Sequence, residues 1–305
     1  MREAWSLRAS WTGYSTAQQL QGLEIDEADT FSWAIGVALP HRPLRPSVDD
    51  PFDGFSAWRQ ALDAKGRHWR EDLPFTVDLP DTWQDAPALS RVLEITRQHA
   101  RADRTARPWL QLPLLLQRLG ITVTPLPCLV SGAKAFRFDR LDAASTVTAQ
   151  LRQLARLANN GLDRLSALEV DRLRSVQAIS AYRRPGALMP LLALLHHHPV
   201  LSPEKAAQML GLTVSGAGKL LTKAAAAGLV REVTGRGSWR VYIVPDLAIH
   251  FGYAAAPIGR PRKAPALAPD LDAVLAAFDR EMAALAPMLA NHDSGSNGPQ
   301  QDFPA

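Results

Sequence analysis

Between Ser202 and Arg240 the chain spaces cations and short hydroxyl side chains as a phosphate-binding surface needs them. Thr213, Ser215, Lys219, Thr222 and Lys223 come first, and Arg231, Arg236 and Arg240 follow. Hydroxyl groups donate to phosphate oxygens, while Lys and Arg neutralise their charge. Over Leu188–Val244 six Lys or Arg stand against two Glu, so the chemistry this stretch can do is binding to a polyanion rather than bond making.

Other reactive groups are poorly arranged for catalysis. His196, His197 and His198 are consecutive, which on a helix turns them about 100° apart and prevents all three from meeting one metal. Cys128 is the single cysteine; it has no partner for a disulfide or a zinc site and reads as a small apolar residue. Gly216–Ala217–Gly218–Lys219 ends like a phosphate-binding loop, yet Thr213 replaces its first glycine, Leu220 its Ser or Thr, and no strand is expected before it. Asp49, Asp50 and Asp53 sit in what reads as an ordinary turn. The chain is therefore expected to be neither an enzyme nor a metal or cofactor binder.

The elements that must position the cations are legible in order. Leu188, Leu191, Leu192 and Leu195 recur at helical spacing until Pro199. Ser202, Pro203 and Glu204 are N-cap, first-turn and dipole-complementing residues of a second helix whose apolar face is Ala206, Met209 and Leu210. Gly211 suits a left-handed turn, Leu212 is expected to drop into the core, and Thr213 caps a third helix running to about Ala227, stopped by Gly228. Leu229–Thr234 and Trp239–Val244 read as strands around the turn Gly235–Ser238. Helix, helix, turn, helix and basic hairpin make a winged helix-turn-helix over 186–250, with the third helix entering the major groove of duplex DNA. Gly216 and Gly218 fall at groove-facing positions, so few side chains are left to read bases.

Around this unit the sequence predicts a mainly α protein. Residues 1–85 form a Trp-rich acidic region, mostly helical with long loops; Met1–Ser90 holds six of the eight tryptophans, expected in the core rather than on a stacking platform. A helical region, 86–182, contains helices at Ala88–Arg101 and Arg107–Leu119, a short strand at Ile121–Pro125 and a loop at Leu126–Ala135 with Ser131–Gly132 at its turn. From Ala143 a helical hairpin is expected, with Leu151, Leu154, Leu157, Leu162, Leu165, Leu168, Leu173, Val176 and Ile179 in its stripes and a break near Asn159–Asn160–Gly161; it is a candidate homodimer seam. A Pro/Ala linker, 257–269, carries Arg260 and Arg262 in Gly259–Arg260–Pro261–Arg262–Lys263, similar to the core of an AT-hook that lays arginine in the minor groove. A helix over 270–290 and a disordered tail, 291–305, complete the chain.

Charge distribution agrees. Met1–Ser90 has 8 basic and 14 acidic residues, Arg91–Arg260 has 23 and 10, and Pro261–Ala305 has 3 and 6, which confines a nucleic-acid surface to the centre and C-terminal half. Met1–Ser10 lacks the apolar core of a signal peptide and no apolar run approaches bilayer length, so a cytoplasmic protein away from membranes is expected. Double-stranded DNA is the expected partner. The competing reading is an adaptor that uses the same unit to bind protein.

Arg107–Pro108–Trp109–Leu110, Leu126–Pro127–Cys128–Leu129, Gly132–Ala133–Lys134, Gly161–Leu162, Arg164–Leu165, Arg183–Arg184 and Arg231–Glu232–Val233–Thr234–Gly235–Arg236–Gly237 follow one another in an order that resembles an uncharacterised, often plasmid-encoded bacterial family. In that family, which has no established activity, a domain of unknown function precedes a helix-turn-helix domain, and the resemblance implies DNA binding by that C-terminal domain alone; with the winged unit as reader, a transcriptional regulator is expected. The winged unit is also similar to the C-terminal domain of Fic-type AMP-transferases. Their motif needs a His as base and Gly-Asn and Arg to hold phosphates; Asp50–Pro51–Phe52–Asp53–Gly54–Phe55 lacks the His, the Asn and the Arg, so that likeness implies at most a relative without its catalytic motif.

Overall fold

Alanine, leucine and glutamine carry the first twenty residues of the chain into a helix, and its many hydroxyl residues survive burial because they bond backward within it. In this computed structural model, which describes residues 2–42, 52–64, 68–73, 76–77, 83, 85–137, 143–235 and 239–255, α1 is Arg2–Gln21. Ser10 Oγ donates to Ser6 O at 2.8 Å and Thr16 Oγ1 to Thr12 O at 2.9 Å, so Ser10 is fully buried without an orphaned hydroxyl. α2 (Glu27–Ile35) starts at an Asp26–Asp29 capping box and stops at Gly36, φ 64°. Phe31 of α2 meets Trp11 of α1 edge to face at 4.3 Å between ring centroids.

α3 (Asp53–Asp63) buries Phe55, Trp58 and Leu62, and Trp58 Nε1 donates to Leu110 O at 2.8 Å. α4 (Ala88–Ala102) and α5 (Arg107–Arg118) form where expected and pack together. Trp11, Trp58, Trp83 and Trp109 are core residues, and Trp5 and Trp33 are half-buried.

The next stretch departs from expectation. No strand forms at Ile121–Pro125; among the described residues no strand pairs with it, and Val123 is exposed. Leu126–Ala135 is not a plain loop but holds a 3₁₀ turn at Pro127–Leu129 and enters another at Lys134–Arg137. Its Ser131–Gly132 pair lies in the core: Gln150 Nε2 donates to Ser131 Oγ at 2.7 Å, and a Cβ at Gly132 would collide with the Trp109 ring.

α6 (Ala143–Ser180) is one continuous helix of 38 residues, not a hairpin. Gly161 breaks nothing. It is the point of closest approach, where an added Cβ would lie 2.9 Å from Cys128 Sγ and where Trp5 Nε1 donates to Gly161 O at 3.1 Å. Leu151, Leu154, Leu168 and Ile179 are buried within the chain, Leu157, Leu162 and Leu165 are half-buried, and Leu173 and Val176 are exposed; intrachain packing has taken part of the stripe expected to form a seam.

α7 (Leu188–His197), β1 (Val200–Leu201), α8 (Pro203–Leu210), α9 (Val214–Ala226), β2 (Arg231–Glu232), β3 (Tyr242–Ile243) and α10 (Pro245–His250) follow in order. The strands form one antiparallel sheet, β1-β3-β2, with Val200 and Arg231 both opposite Ile243. The hairpin strands are shorter than expected, although Val233 N–H still donates to Val241 O at 3.0 Å. β1 and α10 are additions to the expected elements. The protein is mainly helical with a small three-stranded sheet, and no helix among the described residues is long and apolar enough to cross a membrane. Arg236, Arg260, Arg262, the linker 257–269, the expected helix 270–290 and the tail 291–305 lie outside the described residues.

Candidate nucleic-acid interface

Capping fixes α9, which carries the helical contacts expected, and α8 before it. Ser202 Oγ accepts from Lys205 N–H at 3.2 Å and Thr213 Oγ1 from Gly216 N–H at 3.1 Å. Gly211 between them takes φ 64°, the left-handed conformation that ends α8 and redirects the chain into α9. α9 buries Ala217, Leu221 and Ala224. The opposite stripe, Ser215, Lys219 and Thr222, is therefore exposed at positions i, i+4 and i+7. Thr213 is exposed at its head.

Lys219 and Thr222 of that stripe form part of one wall of an open cleft of about 560 Å³. Gly218, Lys219 and Thr222 line it from α9, Pro203 and Glu204 from the start of α8, and Trp239, Arg240 and Tyr242 from the wing. Gly218 leaves its floor open, since a Cβ there would have only Pro203 Cβ nearby, at 4.0 Å. Thr222 Oγ1 donates to Gly218 O at 2.9 Å, which leaves its lone pairs outward. The pKa of Arg240 is raised by its hydrogen bond to the Tyr242 side chain and by the charges of Tyr242 and Glu232. Glu204 is the one acidic group lining the cleft among the described residues.

Two expected contacts lie elsewhere. Lys223 turns back toward the body, with Nζ 4.8 Å from the centroid of the Tyr182 ring. Arg231 is exposed on the edge strand β2.

Trp239, which the strand pattern assigned to a hairpin, is the strongest residue that pattern missed. It is 81% exposed and has φ 61°, a left-handed conformation that an aromatic residue rarely takes. The legible signal is an aromatic followed at once by arginine after Gly237–Ser238 in the sequence. A second correction concerns the turn between α8 and α9: Leu212 does not drop into the core but is 37% exposed, beside Met209 at 38% and Val214 at 50%. The left-handed Gly211 turns Leu212 outward, and small Ala206 and Ala207 fill the helix interface instead.

The remaining candidates for chemistry stay apart. Among the described residues no three His, Cys, Asp or Glu side chains are placed to hold a metal. Burial pushes the Cys128 thiol up to about 12, which keeps it protonated and weakly nucleophilic near neutral pH. His196 and His197 occupy the last turn of α7 and His198 its C-cap. Neither a protein family nor a curated protein matches the chain by sequence, so the geometry of the α9 cleft bears the functional reading.

Proposed function

We propose that 186–253 is a winged helix-turn-helix that binds duplex DNA, and that the protein is a cytoplasmic transcriptional regulator. The observation that carries this reading is the cleft itself: Lys219 and Thr222 on α9 line it together with Trp239 and Arg240 on the wing, with Ser215 exposed one turn before Lys219. A helix in the major groove with a wing against the flanking backbone uses such an arrangement. Lys219 and Arg240 neutralise phosphates, Ser215 and Thr222 hydrogen-bond to backbone or base edges, and Trp239 packs on a backbone sugar. Gly216 and Gly218 contribute no side chain to base edges, so sequence preference is modest.

Fluorescence anisotropy with labelled duplexes tests this on the full chain. Four phosphate contacts give a slope of about −3.6 for log affinity against log salt. Lys219→Glu lowers affinity and flattens the slope by about 1, and Trp239→Ala weakens binding with the slope unchanged. Exposed Met209, Leu212 and Val214 favour a second reading, an adaptor that docks protein on the α8–α9 turn. A full chain retained by no duplex at low salt gives the adaptor reading precedence.

A further inference from the structure

A second cavity, of about 360 Å³, lies between α1, α6 and α10, within the size range of small-molecule sites. Its wall is largely carbon: Trp5 and Trp11 come from α1, Leu157 and Leu168 from α6, and Ile249 from α10.

The less exposed charges around it are already matched, while Asp163 stands at its exposed rim. Arg8 Nη1 lies 2.6 Å from Asp246 Oδ2, and Arg164 Nη1 lies 2.5 Å from Glu27 Oε1. Glu27 also accepts from Thr12 Oγ1 at 2.8 Å and lies 3.0 Å from His250 Nε2. An anionic ligand would have to displace carboxylates from these cations, and a cationic one could pair only with Asp163, an exposed position where a charge pair is worth little, so the cavity favours an uncharged molecule. Asn160 and Asp163 line it from exposed positions on α6 and can meet a hydroxyl or N–H group. At about 30 Å³ per water-sized group, the space holds about a dozen such groups.

α10 ties this cavity to the wing. It follows β3 with only Val244 between them, and Val244 N–H donates to Pro199 O at 2.9 Å beside β1. The Arg8–Asp246 and Glu27–His250 pairs bind α10 to the N-terminal helices.

We propose that this cavity binds a neutral small molecule, an aromatic or alicyclic body carrying one hydroxyl, amide or N–H group, and that its occupancy shifts α10 and with it the wing. The regulatory half rests on the duplex-binding reading; the binding half stands without it.

Isothermal titration of the full chain with indole, 2-naphthol and cyclohexanol tests the binding half, with indole-3-acetate and tryptamine as charged counterparts. At least one neutral probe binds with a dissociation constant near or below about 1 mM, and the charged counterparts bind roughly tenfold more weakly or not at all. Ala167→Trp and Leu157→Trp, which fill the cavity from two positions on α6, weaken the neutral probe by roughly tenfold or more. Absence of binding by all three neutral probes, or undiminished binding in both filled variants, overturns the site. Duplex affinity is then measured with and without the bound probe, with a shift of roughly fivefold expected. Binding with no such shift overturns the regulatory half, whereas binding by a chain that retains no duplex sinks the DNA reading and leaves the site standing.

Discussion

Replacing Glu27 with Gln removes the charge on which α2, α6 and α10 converge. The Glu27 side chain is 14% exposed; it accepts from Arg164 Nη1 at 2.5 Å, Arg164 Nη2 at 2.8 Å and Thr12 Oγ1 at 2.8 Å, with His250 Nε2 at 3.0 Å. Burial alone would raise its pKa, but the hydrogen bonds from His250, Arg164 and Thr12 and the Arg164 charge outweigh burial and lower it from 4.5 to about 2. A carboxylate depressed in this way stabilises the fold above its unfolded pKa, and that stabilisation is lost as pH falls through the folded value. At ~1.36 kcal/mol per unit it amounts to about 3 kcal/mol at pH 7 and about 1 kcal/mol at pH 3. Gln keeps the shape and leaves Arg164 without its counter-charge. Urea unfolding of the wild type and of Glu27→Gln, each at pH 7 and pH 3, reads the difference directly. The variant is expected to lose about 3 kcal/mol at pH 7 and to converge by about 2 kcal/mol at pH 3. A loss below about 1 kcal/mol at pH 7, or a gap that ignores pH, would refute the assignment of Glu27 as the charge that holds these helices together.

Asp171 has the opposite sign: burial first, then the Asp246 charge, raises its pKa from 3.8 to about 6, so its ionised form costs stability above pH 6 and the cost fades as pH falls toward 3.8. Asp171→Asn is expected to stabilise the fold at pH 7 by on the order of 1–3 kcal/mol in thermal or urea unfolding, with the gain gone near pH 3.5. Gly132→Ala drives a methyl into the buried Trp109 ring and should cost roughly 1–3 kcal/mol or more by the same assay. Gly161→Ala meets only the Cys128 side chain and, farther off, Trp5; on a Cys128→Ala background it should become neutral or stabilising by up to about 1 kcal/mol, because alanine is the better helix former.

Local signals in the sequence were readable wherever the structure is made locally. Ser202, Gly211, Thr213 and Gly228 perform the cap and stop roles their types predict, because each acts on backbone within a few residues of itself. Gly161 misleads for the opposite reason. Its purpose is an approach to Cys128 from a distant part of the chain, and a glycine kept for packing has the same letter as one kept for a break. β1 escapes because a two-residue strand has no periodicity; it exists only because Tyr242 and Ile243 return to pair with it. Leu212 and Trp239 share a cause, since hydrophobicity predicts burial while a left-handed turn decides which way a side chain leaves the backbone. Of the α9 cleft, the cationic wall was legible and the aromatic wall was not.

Unbroken over its 38 residues, α6 spans about 57 Å, and its neighbours read it like a ruler. Gly161 meets Trp5 and Cys128, Arg164 meets Glu27, Leu168 faces the cavity, and Ile179 joins the core shared with α7. One residue inserted ahead of Gly161 would swing every later position by about 100° and advance it by about 1.5 Å, uncoupling all of these together. Seven inserted residues would restore the phase to within about 20° but lengthen the rod by about 10 Å. Gains and losses of sequence across descendants of this chain are therefore steered out of α6 and into the connections on either side of it, such as Leu23–Ile25 after α1, where an added residue alters neither phase nor reach.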